Sequence, residues 1–87
     1  MENQRIFEEL LALLEQNSVT VRTEHLGGGG GGLCKLKEKR VFFVDTDAAA
    51  TEMLAICARA VNETIDIEGV YIRPQVRQCL QKYRTEK

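Results

Sequence analysis

No apolar run in these 87 residues comes near the 18 positions a membrane helix needs, so nothing in the chain is expected to span a bilayer. The three cysteines, Cys34, Cys57 and Cys79, include no C-x-x-C pair and cannot all form disulfides with one another. The first residues run directly into an amphipathic pattern, without the charged and then apolar regions of an export signal. Reduced thiols in a cytoplasmic protein are the simplest expectation. Lys35, Lys37, Lys39 and Arg40, and Arg73, Arg77, Lys82, Arg84 and Lys87, form two basic patches; a solvated polar face is the expected reading, with nucleic-acid binding through them as a weaker alternative. There is no GK[ST] after the glycines and no recognisable cofactor motif, so no cofactor is expected.

What the chain does have is an ordinary globular balance, 44% hydrophobic and 29% charged, enough for one domain over residues 1–87. A chain of this size buries only about 60–65% of its unfolded surface, so its stability margin is thin. Net charge is −1, but the charges lie in blocks: −3 over residues 1–17, +3 over 35–40, −5 over 45–68 and +4 over 73–87.

Residues 2–17 read as a helix with a wide apolar stripe of Ile6, Phe7, Leu10, Leu11, Leu13 and Leu14. Residues 19–26 alternate as a strand does, Leu33–Lys37 form a second, and Val41-Phe42-Phe43-Val44 a third. The third is apolar at every position, which predicts a central strand covered on both faces. Asp45-Thr46-Asp47 is expected to open a second helix, with Thr46 or Asp47 as its cap. Val70-Tyr71-Ile72 reads as a fourth strand, and Pro74 fits the first turn of a third helix carrying Val76, Cys79, Leu80 and Tyr83 at helical spacing.

The expected fold is therefore α+β, in the order αβββαβα. Its four-stranded mixed sheet has an antiparallel meander plus one parallel strand reached through a crossover helix, with helices on both faces. This order resembles the αβββαβ core of the restriction-endonuclease-like nucleases. The resemblance is topological only: the second strand offers Lys35 and Lys37, and Phe43-Val44-Asp45-Thr46-Asp47 lacks the lysine of their [DE]-x-K, so no metal-dependent cleavage is carried over. Val-Phe-Phe-Val-Asp-Thr-Asp also resembles the first motif of haloacid-dehalogenase-like phosphatases. That match fails on chain size and on Ala48-Ala49-Ala50, which stand where Gly-Thr would follow.

Six glycines, Gly27 to Gly32, join the first two strands. As a hairpin loop they set Leu26 opposite Leu33 and His25 opposite Cys34, with Cys34 facing Phe43 and Gly32 facing Asp45. His25, Cys34 and Asp45 would then gather beside the loop. A thiol, an imidazole and a carboxylate could form a thiol-dependent catalytic site, with amides of Gly28, Gly29, Gly30 and Gly31 binding a ligand or oxyanion. The same three with Asp47 could hold a metal. Packing roles for these side chains weigh more, however, because cysteine is often a small buried hydrophobe and Asp-x-Asp after a strand commonly caps a helix. The sequence favours a non-enzymatic interaction domain. Its expected partner is a protein or a second copy of itself, since the first helix carries more apolar surface than one sheet face must cover.

Overall fold

The structure is a computed structural model that describes residues 2–84. Helix α1 (Glu2–Gln16) is followed by strands β1 (Val19–Glu24), β2 (Gly32–Leu36) and β3 (Lys39–Asp45). Helix α2 (Ala50–Thr64), a 3-10 turn (Ile67–Gly69) and helix α3 (Pro74–Lys82) complete the order. Among the described residues no helix is long and apolar enough to cross a membrane.

The three strands form a mixed sheet in the order β1-β3-β2. The apolar third strand is central, as expected, but the meander is not formed. Strands β1 and β2 do not pair. Instead β1 runs parallel to β3, from Val19 opposite Arg40 to Glu24 opposite Asp45. Strand β2 is antiparallel to β3, from Gly32 opposite Phe43 to Leu36 opposite Lys39, across a two-residue turn in which Lys37 has φ 58°. A β1–β2 hairpin would have set Arg22 against Lys37. The observed register puts Arg22 beside Phe43 and removes that like-charge pair.

Among the described residues the fourth strand is absent. Val70–Ile72 follows the 3-10 turn in extended backbone, but it joins no ladder. Side chains hold it instead. Ile72 inserts into the core, and Arg77 donates to the carbonyls of Ile67 and Val70. Next in the chain, Arg73 grips both carboxylate oxygens of Glu9 on α1, with Nε at 2.8 and 3.0 Å. That hydrogen bond, with help from the guanidinium charge, outweighs partial burial and holds the Glu9 carboxyl below its usual range.

Helix periodicity explains the packing. Ile6, Leu10 and Leu14 on α1, Met53, Leu54, Cys57, Ala58 and Val61 on α2, and Val76 and Leu80 on α3 meet Val19, Phe42 and Val44 of the sheet in one core. The expected surplus on α1 is partly absorbed, since Phe7, Leu11 and Leu13 also pack against this core. Helix α1 ends where Ser18 takes φ 70° and Asn17 Nδ2 donates to the Leu13 carbonyl.

Successive strand residues point to opposite faces. The core draws its sheet residues from one of these faces, where the helices lie. The opposite face carries Thr20, Arg22, Cys34, Leu36, Val41 and Phe43, and among the described residues helices on both faces, as the sequence suggested, are not found. Thr20, Arg22, Cys34 and Leu36 are exposed, Phe43 is half-buried, and Val41 is buried yet lies outside the core.

This division predicts two different costs. Phe42→Ala should lower unfolding free energy by about 3–5 kcal/mol, whereas Leu36→Ala on the uncovered face should stay within about 0.5 kcal/mol. Urea denaturation of the two variants measures both, and equal losses would mean that something covers the second face.

Candidate functional site

The end of β3 gathers three of the residues that the sequence singles out, His25, Asp45 and Asp47, but for a different purpose. Because β1 and β3 are parallel, the chain leaving Glu24 must pass over the end of β3 to reach β2 on the far side. Residues 25–31 make that arch. Beneath it lies Asp45, 1% exposed. Its Oδ1 accepts hydrogen bonds from the Leu26 N–H at 3.0 Å and the Asp47 N–H at 2.9 Å, and its Oδ2 accepts from the Gly30 N–H at 2.9 Å. A carboxylate thus occupies a nest of backbone donors like those that bind anions elsewhere. Burial alone would raise the Asp45 pKa; the N–H groups of Gly30, Asp47, Leu26 and Gly28 outweigh it, and the net shift is downward.

Asp47 repeats the device at the surface. Its Oδ2 accepts from the Gly27 N–H at 2.9 Å, and its Oδ1 lies 3.4 Å from His25 Nδ1. The imidazole is closer to the Thr46 hydroxyl, at 2.8 Å, and its side chain is 84% exposed. Neither acid caps α2. That helix starts at Ala50, later than expected, and Ala49 at its N-cap makes no side-chain hydrogen bond. The two aspartates are engaged with the loop, so they cannot also cap the helix.

The glycines are required for this path at particular points. Gly27, Gly28 and Gly30 have φ of 78°, 86° and 78°, which side chains rarely adopt. Gly31 needs its missing side chain for space, since a Cβ there would lie 2.0 Å from the Phe43 carbonyl oxygen. The loop is therefore a fitted arch rather than a floppy hairpin.

Of the four candidate site residues, the structure brings together His25, Asp45 and Asp47 and leaves Cys34 apart. Cys34 stands opposite Val41, not Phe43. Val41 is four positions from Asp45, or about 13 Å at strand rise. The cysteine faces solvent in mid-strand, so the trio of His25, Cys34 and Asp45 is not assembled. Among the described residues, no group of three or more His, Cys, Asp or Glu side chains is placed to hold a metal ion. As for Gly28, Gly29, Gly30 and Gly31, the amides of Gly28 and Gly30 face the protein's own carboxylate. The other thiols are packing groups: burial, with Cys79 as a lesser influence, pushes Cys57 up to about 12, and burial raises Cys79 against the opposing charge of Lys82.

The surface that sequence reasoning missed is the uncovered sheet face. In its middle row Arg22, Phe43 and Gly32 stand side by side on β1, β3 and β2. In the next row stand Thr20, Val41 and Cys34, and Lys39 and Leu36 close the hairpin end. One signal was available: Thr20 and Arg22 alternate with Val19 and Val21, which marks a strand with one wet face. Comparison with protein-family models, curated proteins and solved structures finds no match to this chain.

A glycine scan tests the arch. Gly29→Ala, at a position with ordinary φ and only a 3.9 Å neighbour, should change stability by less than about 0.5 kcal/mol. Gly27→Ala should cost about 1–2 kcal/mol through its φ alone, and Gly31→Ala, which forces the backbone apart, about 1–3 kcal/mol. Equal and small losses at all three positions by thermal or urea unfolding would show a loop without fixed geometry.

Asp45 should also make stability depend on pH. Its folded-state pKa is lowered, so its ionised form stabilises the fold above the unfolded value of about 3.9, and this is lost as pH falls through the folded value. Asp45→Asn should be less stable than the parent at pH 7, with the difference closing as the medium is acidified below about pH 4. Denaturation curves at several pH values measure that difference, and a gap independent of pH would show that the charge plays no part.

Proposed function

We infer that this protein is a non-enzymatic binding domain whose docking surface is the uncovered face of the sheet. The observation that carries this reading is the half-buried Phe43 with the exposed Cys34 and Leu36, grouped around the buried Val41 on a face that no helix covers among the described residues, with Leu36 54% exposed. Exposed apolar residues grouped on one face mark contact surfaces more often than isolated ones do. The alternative sequence reading, a thiol enzyme or metal site at His25, Cys34 and Asp45, draws no support from the geometry, because the thiol and the imidazole are apart and the carboxylate is saturated with backbone donors.

The face is small. Three strands about 4.8 Å apart and five residues at about 3.3 Å give a footprint of roughly 240 Å². A standard interface buries about 800 Å² on each partner. A homodimer built on this face alone falls short of that, and α1 has less free apolar surface than its sequence suggested. The footprint suits a ligand that crosses the sheet and continues beyond it.

A photo-crosslinking amino acid at Leu36 tests the reading in the cell, with the same group at Gln78 on α3 as control. Both positions are exposed, and melting temperatures confirm that both variants fold. Adducts at Leu36 that are absent at Gln78 are expected. Absence of adducts at Leu36, or equal adducts at both sites, would overturn the docking surface.

A further inference from the structure

We propose that the ligand of the uncovered face is a single-stranded nucleic acid, one base of which stacks on Phe43 while Arg22, Lys37 and Lys39 meet its phosphates; this rests on the docking surface inferred above. In the sequence, Phe43 stands apart from the basic patches, and nucleic-acid binding is only a weaker alternative. The fold removes the objection. Arg22, 21 positions from Phe43 in the chain, is its neighbour in the sheet. On the ring's other flank the backbone of Gly32 pairs with Phe43, and a Cβ there would point toward Ile56 of α2. Lys39 projects from the same strand and face toward the hairpin end, and Lys37 follows in the turn.

Charge supports the same occupant. Of the hairpin block over residues 35–40, Lys39 stands on this face and Lys37 in its turn, while Lys35 and Arg40 alternate to the other face; among the described residues no ion pair engages Lys37 or Lys39. Arg22 pairs with Glu24 at 2.8 Å, but both side chains are well exposed, so the pair is weak and a phosphate can replace the carboxylate. Two acids share this face and its turn, Glu24 beside Arg22 and Glu38 between Lys37 and Lys39, and the other acids lie elsewhere. Those of α1 and α2 are on the helical layer, Asp45 is buried, and Asp47 stands at the arch. The uncovered face thus has its cations at the hairpin end and its aromatic ring beside Arg22.

Cation, aromatic ring and cation along one path match the phosphate, base and phosphate repeat of a single strand. A duplex hides its base faces, and its groove contacts need more surface than this sheet offers. An acidic peptide would use the cations but would have no need of the ring. The balance of ring and charge is therefore what separates the possible occupants.

The test is fluorescence anisotropy of a labelled uridine 20-mer with the full chain, beside Phe43→Leu, Arg22→Glu and the Lys37→Glu/Lys39→Glu double variant. Tyr71→Ala, at an exposed residue outside the sheet, is the control. Phe43→Leu should weaken binding by about five- to a hundredfold, the range of one stacked base. Three phosphate contacts give a salt slope near −2, so raising salt from 50 to 200 mM should weaken binding by about fifteenfold. Tyr71→Ala should bind as the parent does. If Phe43→Leu fails to fold, Arg22→Glu and the lysine double variant, altered only at exposed positions, carry the test. No binding of the 20-mer at 50 mM salt overturns the proposal. So does a preference for duplex, or affinity for polyglutamate equal to that for the 20-mer and indifferent to Phe43→Leu. Protein adducts at Leu36 with no oligonucleotide binding would overturn the nucleic-acid ligand and leave the docking surface standing.

Discussion

Asp45 ends the central strand, and its carboxylate accepts N–H groups from both ends of the arch, Leu26 and Gly30, and from its own side, Asp47. Those three hydrogen bonds decide which strands become neighbours. With the arch fastened over the end of β3, β1 and β2 are kept on opposite sides of it, and β1 has only a parallel pairing available. Without an acceptor at that point, six glycines would offer no reason to hold one path, since glycine loses more conformational freedom on ordering than any other residue. The buried charge is tolerable because donors surround it; an unpaired carboxylate in the same place would strongly oppose folding.

The sequence is most legible where periodicity carries the information. The three helices follow from the apolar spacings around Leu10, Cys57 and Leu80, and the central position of β3 follows from Val41-Phe42-Phe43-Val44. The errors lie where a local pattern has two physical outcomes. An unbroken apolar strand is consistent with two covered faces, but here Val41 is buried outside the helix-packed core while Phe43 stays half open. Gly27–Gly32 satisfies the usual expectation of a hairpin, and nothing within the loop shows that its partner is a carboxylate 15 positions away from Gly30. Asp45 and Asp47 look like helix caps because capping and loop fastening use the same acceptor chemistry. Val70–Ile72 has the composition of a strand but lies between a 3-10 turn and Pro74, and guanidinium groups hold it in place of a ladder.

The site residues follow the same division. His25, Asp45 and Asp47 do meet, because they share one end of the sheet whichever way the strands pair. Cys34 depends on register, and the observed register moves it away. The uncovered face depends on layer assignment, which no short window of sequence contains.

The parallel β1–β3 pairing also bears on the order in which the sheet can be made. Strand β1 leaves the ribosome first, yet its sheet partner β3 comes 21 residues later, with Val19 waiting for Arg40. The β2–β3 hairpin needs just a two-residue turn, so it can form as soon as Asp45 has been synthesised. Assembly therefore runs against the direction of synthesis, from the last strand back to the first. Until Asp45 appears there is no fixed point over which the glycines can close.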